Sequence, residues 1–140
     1  FSITTDIIVG FPGETEEAFN ETLRFAAAAA FSGGHVFPFS PRPGTAAAKL
    51  PEPVANEVKK ERSAWLRAQL DAQKDAFSRA QLGARRRILW EHGAIRAEGG
   101  YRNRGLTDNY LAVAKTSETA LTNRISEERI LALQDGVLLA

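Results

Sequence analysis

Neither cysteine nor methionine occurs among the 140 residues. Without thiolates the chain forms no disulfide, holds no iron–sulfur cluster through sulfur and has no thiol nucleophile. Long apolar runs are missing as well. The longest stretch free of formal charge, Phe25 to Pro41, is interrupted by Ser32, Gly33, Gly34 and His35 and does not suit a bilayer span. No basic segment followed by an apolar core marks a secretory leader. These absences predict a cytoplasmic chain with no membrane partner. What is present is an ordinary globular balance, 44% hydrophobic and 25% charged. That suffices for one domain or two small ones, not for a large enzyme. Phe1 opens directly on a strand-like run, so the expectation is a piece of a longer polypeptide whose upstream part is a partner of this one.

Ile3-Thr4-Thr5-Asp6-Ile7-Ile8-Val9 is β-branched and nearly continuous, which predicts a strand covered on both faces of a parallel sheet. Asp6 within it then needs a hydrogen-bond partner. Gly10-Phe11-Pro12-Gly13 reads as a sharp turn, with Thr15 capping a helix that runs to about Ala30. His35 to Phe39 is the next strand, so this part is a βαβ unit. Ser40 to Pro53 holds four of the six prolines and reads as an irregular loop. A helix from about Val54 to Leu82 follows, with Val54, Val58, Trp65, Leu66, Leu70 and Phe77 on its buried side and Gly83 as its stop. Beyond Arg85, five short β-like runs alternate with glycine and polar turns, the pattern of a small antiparallel barrel. The domain boundary falls near Leu82 to Ala84.

The turn Gly10 to Thr15 sits where ligands gather in parallel α/β folds, at the carboxyl end of a strand and the start of a helix. It lacks the Lys-Ser/Thr pair of a phosphate-binding Walker loop, and taken alone it reads first as a purely structural strand-to-helix turn. His35 is either a packed strand residue or a ligand contact. No carboxylate pair, Ser-His-Asp set or metal-spaced cluster stands out. The net charge of +1 hides a gradient: Leu82 to Arg104 carries Arg85, Arg86, Arg87, Arg96, Arg102 and Arg104 against Glu91 and Glu98. Arginines interleaved with aromatics suit RNA, phosphate neutralisation joined to stacking; the alternative is a solvated charged face. Tyr101 reads as an exposed loop residue. Trp90 and Tyr110 read as core.

The order of motifs adds a resemblance. Thr5 to Thr15 (TDIIVGFPGET) followed by His35 to Thr45 (HVFPFSPRPGT) resembles the late part of the radical S-adenosylmethionine domain of the methylthiotransferases. The Glu57-Val58-Lys59-Lys60-Glu61-Arg62 helix is similar to the one that follows in that family. Gly105-Leu106-Thr107-Asp108-Asn109-Tyr110 looks like part of their TRAM domain, a small RNA-binding β-barrel, although no valine–glycine strand is recognisable between Ala114 and Arg129. The fold implied is α/β: an incomplete parallel β/α barrel fragment with a long linking helix over 1–82, then a small antiparallel, OB-like β-barrel over 83–140.

The resemblance implies a full-length enzyme that uses S-adenosylmethionine and two 4Fe–4S clusters, one held by three cysteines of an N-terminal domain and one by a CxxxCxxC motif. With no cysteine here, those ligands lie outside this chain, which is expected to be inert by itself. Ile8, Val9, Gly10 and Phe11 are carried over as contacts of the adenosyl cofactor, with His35 and Phe37 as further candidates. Arg85, Arg86, Arg87, Arg96, Tyr101, Arg102 and Arg104 are carried as the RNA-binding set. The Arg42-Pro43-Gly44-Thr45 loop points to tRNA rather than a ribosomal protein, the target being the anticodon loop. The His-Val-Phe-Pro-Phe-Ser strand looks most like the branch acting on N6-threonylcarbamoyladenosine at position 37, with N6-isopentenyladenosine as the alternative. The rival readings are a non-enzymatic RNA-binding module and a radical enzyme of small-molecule metabolism.

Overall fold

A computed structural model describes all 140 residues. The segments Ile3–Lys74 and Asp75–Ala140 form two compact units.

In the first unit the β-branched run forms strand β1 (Thr4–Val9). Thr15 ends the turn that follows, its hydroxyl accepting the Ala18 N–H at 3.2 Å. Glu16 and Glu17 then occupy the first turn of helix α1 (Glu16–Ala29), where negative charge favours the helix dipole. Ala30, at φ 48°, supplies the left-handed cap that stops it. Strand β2 (Gly33–Pro38) returns parallel to β1, with Asp6 opposite His35 and Ile8 opposite Phe37. A loop with one short 3-10 turn (Ala47–Lys49) leads into helix α2 (Asn56–Arg79). Val9, Phe19, Ala26, Phe31, Val36, Leu66 and Leu70 close one core, with Ile7 and Leu23 against it. Each large member contributes roughly 1.5–3 kcal/mol by burial.

Both helices thus lie on the same face of the β1–β2 pair. The expectation of a strand covered on both faces is corrected accordingly. Thr5, Ile7 and Val9 turn inward, while Thr4, Asp6 and Ile8 face outward and Asp6 is exposed. Trp65 also departs from its expected burial: it is half exposed, its ring 6.4 Å from that of Phe19.

The second unit is a curled sheet of seven strands: β3 (Arg85–Trp90), β4 (Ile95–Ala97), β5 (Gly100–Thr107), β6 (Ala112–Ser117), β7 (Ile125–Arg129), β8 (Ala132–Gln134) and β9 (Val137–Leu139). Their order is β7-β3-β5-β6-β9-β8, with β4 beside β5. Every pairing is antiparallel except β6 with β9, which is parallel. Only Ile130 and Leu131 separate the end of β7, at one edge of this order, from the start of β8 at the other. From Arg129 to Ala132 the chain takes three steps and spans no more than about 11 Å, so the sheet curls until its edges come close.

The interior of this sheet holds Ile88, Trp90, Leu111, Val113, Ile130 and Leu138, with Phe77 of α2 packed against them. Five strands were expected here and seven are found; β5 and β7 are the ones without a sequence signal. Tyr101 accordingly lies in a strand rather than a loop. Gly105 explains part of this. A side-chain carbon at that position would stand 2.5 Å from the Leu89 carbonyl oxygen and 3.1 Å from the Trp90 ring, so glycine alone lets β5 lie against β3 there. Asn103, also inward, donates to the Tyr101 carbonyl (2.9 Å) and to Ser117 Oγ (2.9 Å), and accepts the Leu121 N–H (2.8 Å).

Candidate functional site

Two surfaces carry the candidate residues, one in each unit. In the first, the parallel register brings Asp6, Ile8, His35 and Phe37 onto the uncovered face of β1 and β2. Ile8 is 56% exposed and Phe37 51%. At the carboxyl ends of these strands a cavity of about 530 Å³ opens, lined by Ile8, Phe37, Phe39, Arg42 and Thr45 among others. It is mostly apolar, with the Arg42 guanidinium and the Ser40 and Thr45 hydroxyls as polar groups. The Arg42-Pro43-Gly44-Thr45 segment forms its rim as a tight turn: Thr45 N donates to the Arg42 carbonyl at 3.2 Å, and Thr45 Oγ1 does the same at 2.8 Å.

Of the other expected cofactor contacts, Val9 points into the core and is fully buried. It can offer a ligand on the open face only its backbone. His35 lies on the open face, its ring centroid 6.2 Å from that of Phe37. Phe11 is partly exposed and packs edge-on against Phe39 at 5.0 Å.

Gly10 and Glu14 hold the turn in shape. Gly10, at φ 71°, donates its N–H to Glu14 Oε2 at 2.7 Å. Arg62 of α2 reaches the same carboxylate oxygen at 2.5 Å and the Glu14 carbonyl at 3.0 Å. Its guanidinium lies 5.3 Å from the Phe19 ring centre. Both side chains are nearly buried, 10% exposed for Arg62 and 12% for Glu14. The acidic residue of the motif is therefore a brace that fixes the turn to α2.

A metal cluster does not fit the residues present. The chain has no cysteine, and no three histidine, aspartate or glutamate side chains converge as ligands. An adenosyl group fits better: the open apolar face and its cavity offer Ile8 and the Phe37 ring as apolar contacts, with hydroxyls at the rim.

In the second unit, alternation along the strands sorts the arginines. Arg85 and Arg87 on β3, Arg102 and Arg104 on β5, and Arg129 on β7 are exposed on the outer face of the sheet. Three acids stand near these five arginines: Glu127, 3.2 Å from Arg85, Asp108, which lines a cavity with Arg87, and Asp135, which lines one with Arg102 and Arg104. Arg85 also lies directly opposite Arg129 in the β3–β7 ladder, a like-charge pair that opposes pairing until an anion screens it. Between the arginines lies an exposed apolar strip, Leu89 and Ile125 opposite one another and Leu106 beside Leu89. With Arg87 and Tyr110 these residues line a cavity of about 240 Å³. Tyr110, expected in the core, is instead 81% exposed at a left-handed turn position with φ 63°. Trp90 is buried as expected, its indole N–H donating to Ser126 Oγ at 2.8 Å.

Three of the expected RNA contacts lie elsewhere. Arg86 turns to the other side of β3, donates to Gln81 Oε1 at 2.5 Å and approaches Asp108 at 3.9 Å. Arg96 and Tyr101 face each other across the β4–β5 ladder, Tyr101 half-buried on the side that carries Asn103. Residues the sequence left unmarked, Leu89, Leu106, Ile125 and Arg129, complete the outer face. Nothing in the spacing of Ile125-Ser126-Glu127-Glu128-Arg129 singles them out, because polar residues occupy both sides of β7.

On the inner side of β7, Glu128 accepts from Lys115 Nζ at 2.6 Å and from Ser126 Oγ at 2.8 Å. Burial is the largest single influence on its carboxyl and works upward. Hydrogen bonds from Lys115 and Ser126, together with the Lys115 charge, outweigh it, so the group titrates below its ordinary range.

No family model matches the chain. Among curated proteins it is 38% identical over 128 residues to a tRNA-2-methylthio-N(6)-dimethylallyladenosine synthase of Methylobacillus flagellatus, covering 91% of this chain and 28% of that protein. It is 46% identical over 89 residues to the protein of the same name from Actinobacillus pleuropneumoniae serotype 5b, covering 64% of this chain and 19% of the relative. To the threonylcarbamoyladenosine tRNA methylthiotransferase of Thermotoga maritima it is 42% identical over 110 residues, or 79% of this chain and 24% of that protein. The chain spans about a quarter of the length of these relatives.

Proposed function

Since this chain is homologous to the tRNA methylthiotransferases over most of its length, matching their C-terminal part, we propose that it serves a cytoplasmic enzyme of that activity as a substrate-binding and cofactor-flanking segment. The carrying observation is that the match to the Methylobacillus relative extends over 128 residues and so includes both units. On this reading residues 1–82 are the last part of a parallel β/α barrel and residues 83–140 a TRAM barrel that binds tRNA near its anticodon loop.

Ile8 and Phe37 would contact the adenosyl group of S-adenosylmethionine, with backbone from Val9 and Gly10 and edges from Phe11 and His35. That cofactor supplies the radical that begins methylthiolation. The clusters that cleave it require ligands from other sequence, so the chain alone is inert. Arg85, Arg87, Arg102 and Arg104 neutralise phosphates on the outer face of the barrel. Arg96 and Tyr101, on the other side of the β4–β5 ladder, would contact RNA only outside that face. Arg86 supports binding through Gln81 and Asp108, which orient the turn bearing Tyr110.

The substrate we favour is N6-threonylcarbamoyladenosine at position 37, on the likeness of the His35 to Ser40 strand and the relative of that name. The second reading is the dimethylallyl (isopentenyl) adenosine, whose name two of the relatives above carry. Mass spectrometry of tRNA nucleosides from cells with and without the gene separates them. Loss of the methylthiolated threonylcarbamoyl nucleoside supports the first and loss of the methylthiolated isopentenyl species the second. If both persist, the tRNA position 37 reading fails.

A further inference from the structure

The loop after β2 and the N-terminal half of α2 enclose a second cavity in the first unit, of about 370 Å³. Ser40, Asn56, Lys59, Lys60, Ser63 and Arg67 line it, and no carboxylate does. Lys59 Nζ donates to the Phe39 carbonyl at 3.3 Å, and Arg67 donates to the Val36 carbonyl at 2.9 Å. Each is anchored through one N–H, and its remaining donors are free. Lys60 is exposed on the same wall. Three like charges around one cavity repel one another unless an anion sits among them.

Ser63 is a second, independent sign. It is only 2% exposed, and its hydroxyl oxygen has no hydrogen-bond partner. A serine within a helix ordinarily turns its hydroxyl back to the carbonyl four residues earlier. A buried hydroxyl without a partner is uncommon, and here it belongs to a residue that lines the cationic cavity. The donor set exceeds what a two-oxygen carboxylate needs. It comprises two ammonium groups, a guanidinium, an amide and two hydroxyls, which match an anion with several oxygens in a tetrahedron.

We propose that this cavity binds a phosphate group, with Lys59, Lys60 and Arg67 supplying charge and Ser63 turning its buried hydroxyl outward to donate to a phosphate oxygen. The phosphate is either free or a phosphodiester of a polynucleotide, and the chemistry of recognition is shared. The site lies within the first unit and shares no residue with the arginine face of the barrel. The polynucleotide source rests on the tRNA reading above, whereas the free-phosphate source does not.

The test uses the 140-residue chain with inorganic phosphate, and separately with an RNA stem-loop, following backbone amides by NMR at constant ionic strength. Lys60→Gln alters an exposed side chain, and Ser63→Ala removes an unpartnered hydroxyl, so both variants should keep the thermal midpoint of the parent. Saturable shifts at Ser63 and Lys60 with phosphate but not chloride, weakened about tenfold in each variant, establish the free-phosphate source. If phosphate has no effect but RNA shifts the same amides, and Lys60→Gln lowers the salt slope of RNA binding by about 0.9, the ligand is a phosphodiester. Equal response to phosphate and chloride, or unchanged binding of both ligands by folded variants, overturns the site.

Discussion

Replacing Arg62 with leucine tests whether the brace at Glu14 governs the first unit. The substitution keeps an apolar stem on α2 but removes the contacts to the Glu14 carboxylate (2.5 Å) and carbonyl (3.0 Å), and the cation over Phe19. It leaves a carboxylate that is 12% exposed with the Gly10 N–H as its remaining donor. Breaking a buried ion pair from one side costs about 3–5 kcal/mol. Glu14 sits on a turn and can swing toward water by releasing Gly10, which places the cost near 3 kcal/mol at the low end of that range. Hydrogen exchange read by peptide mass spectrometry is the suitable assay, because it reports each unit separately. A loss of about 3 kcal/mol accelerates exchange roughly a hundredfold in peptides spanning β1 and α1. Peptides from β5 and β6 serve as an unchanged reference. Adding Glu14→Gln to the leucine variant removes the stranded charge and should recover about 1–2 kcal/mol. Exchange within threefold of the parent, or no recovery in the double variant, refutes the brace.

Three further outcomes follow from the second unit. Gly105→Ala forces a carbon against the Leu89 carbonyl and the Trp90 ring, and should lower barrel stability by about 1–3 kcal/mol in urea unfolding followed by Trp90 emission. Arg87→Ala and Arg104→Ala should each reduce the salt slope of tRNA binding by about 0.9 with the fold intact; Arg86→Ala should instead destabilise the barrel, since its guanidinium is tied to Gln81. Glu128 titrates below its ordinary range when folded, so its contribution is complete above the unfolded carboxyl pKa and disappears as pH falls through the lower folded value. Lys115→Met should shrink that acid-side loss in unfolding experiments between roughly pH 6 and pH 3; an unaltered pH profile would count against the pairing.

The sequence pattern marked strands whose inward residues are apolar and missed those whose inward residues are not. In β3, Ile88 and Trp90 announce the buried side. In β5 the inward positions are Asn103, Gly105 and Thr107. They are small or polar because the interior is already filled by Trp90 and because Asn103 ties three backbone groups together. In β7 the inward Ser126 and Glu128 complete a hydrogen-bond chain from the Trp90 indole, so no apolar alternation survives to be read. The first unit shows the opposite difficulty. Its β1 run is apolar at Ile7, Ile8 and Val9 in succession, which hides the fact that one face stays open. That face depends on where two helices pack, and local sequence does not encode the choice. The motifs at Gly10 to Glu14 and Arg42 to Thr45 were legible as turns, but the role of Glu14 required Arg62, 48 residues away, to be seen beside it.

The β1–β2 pair has a further consequence. In a sheet of two strands neither is interior, so each leaves one row of N–H and C=O groups unsatisfied by the ladder. Those rows run beside a face that exposes Ile8 and Phe37. Together they make an adhesive template: a further extended segment of any origin can dock edge-on and bury apolar surface at once. A preparation of this chain alone is therefore prone to self-association through its first unit, and a lysine introduced at Thr4, on the outward side of β1, should raise its solubility without touching the core.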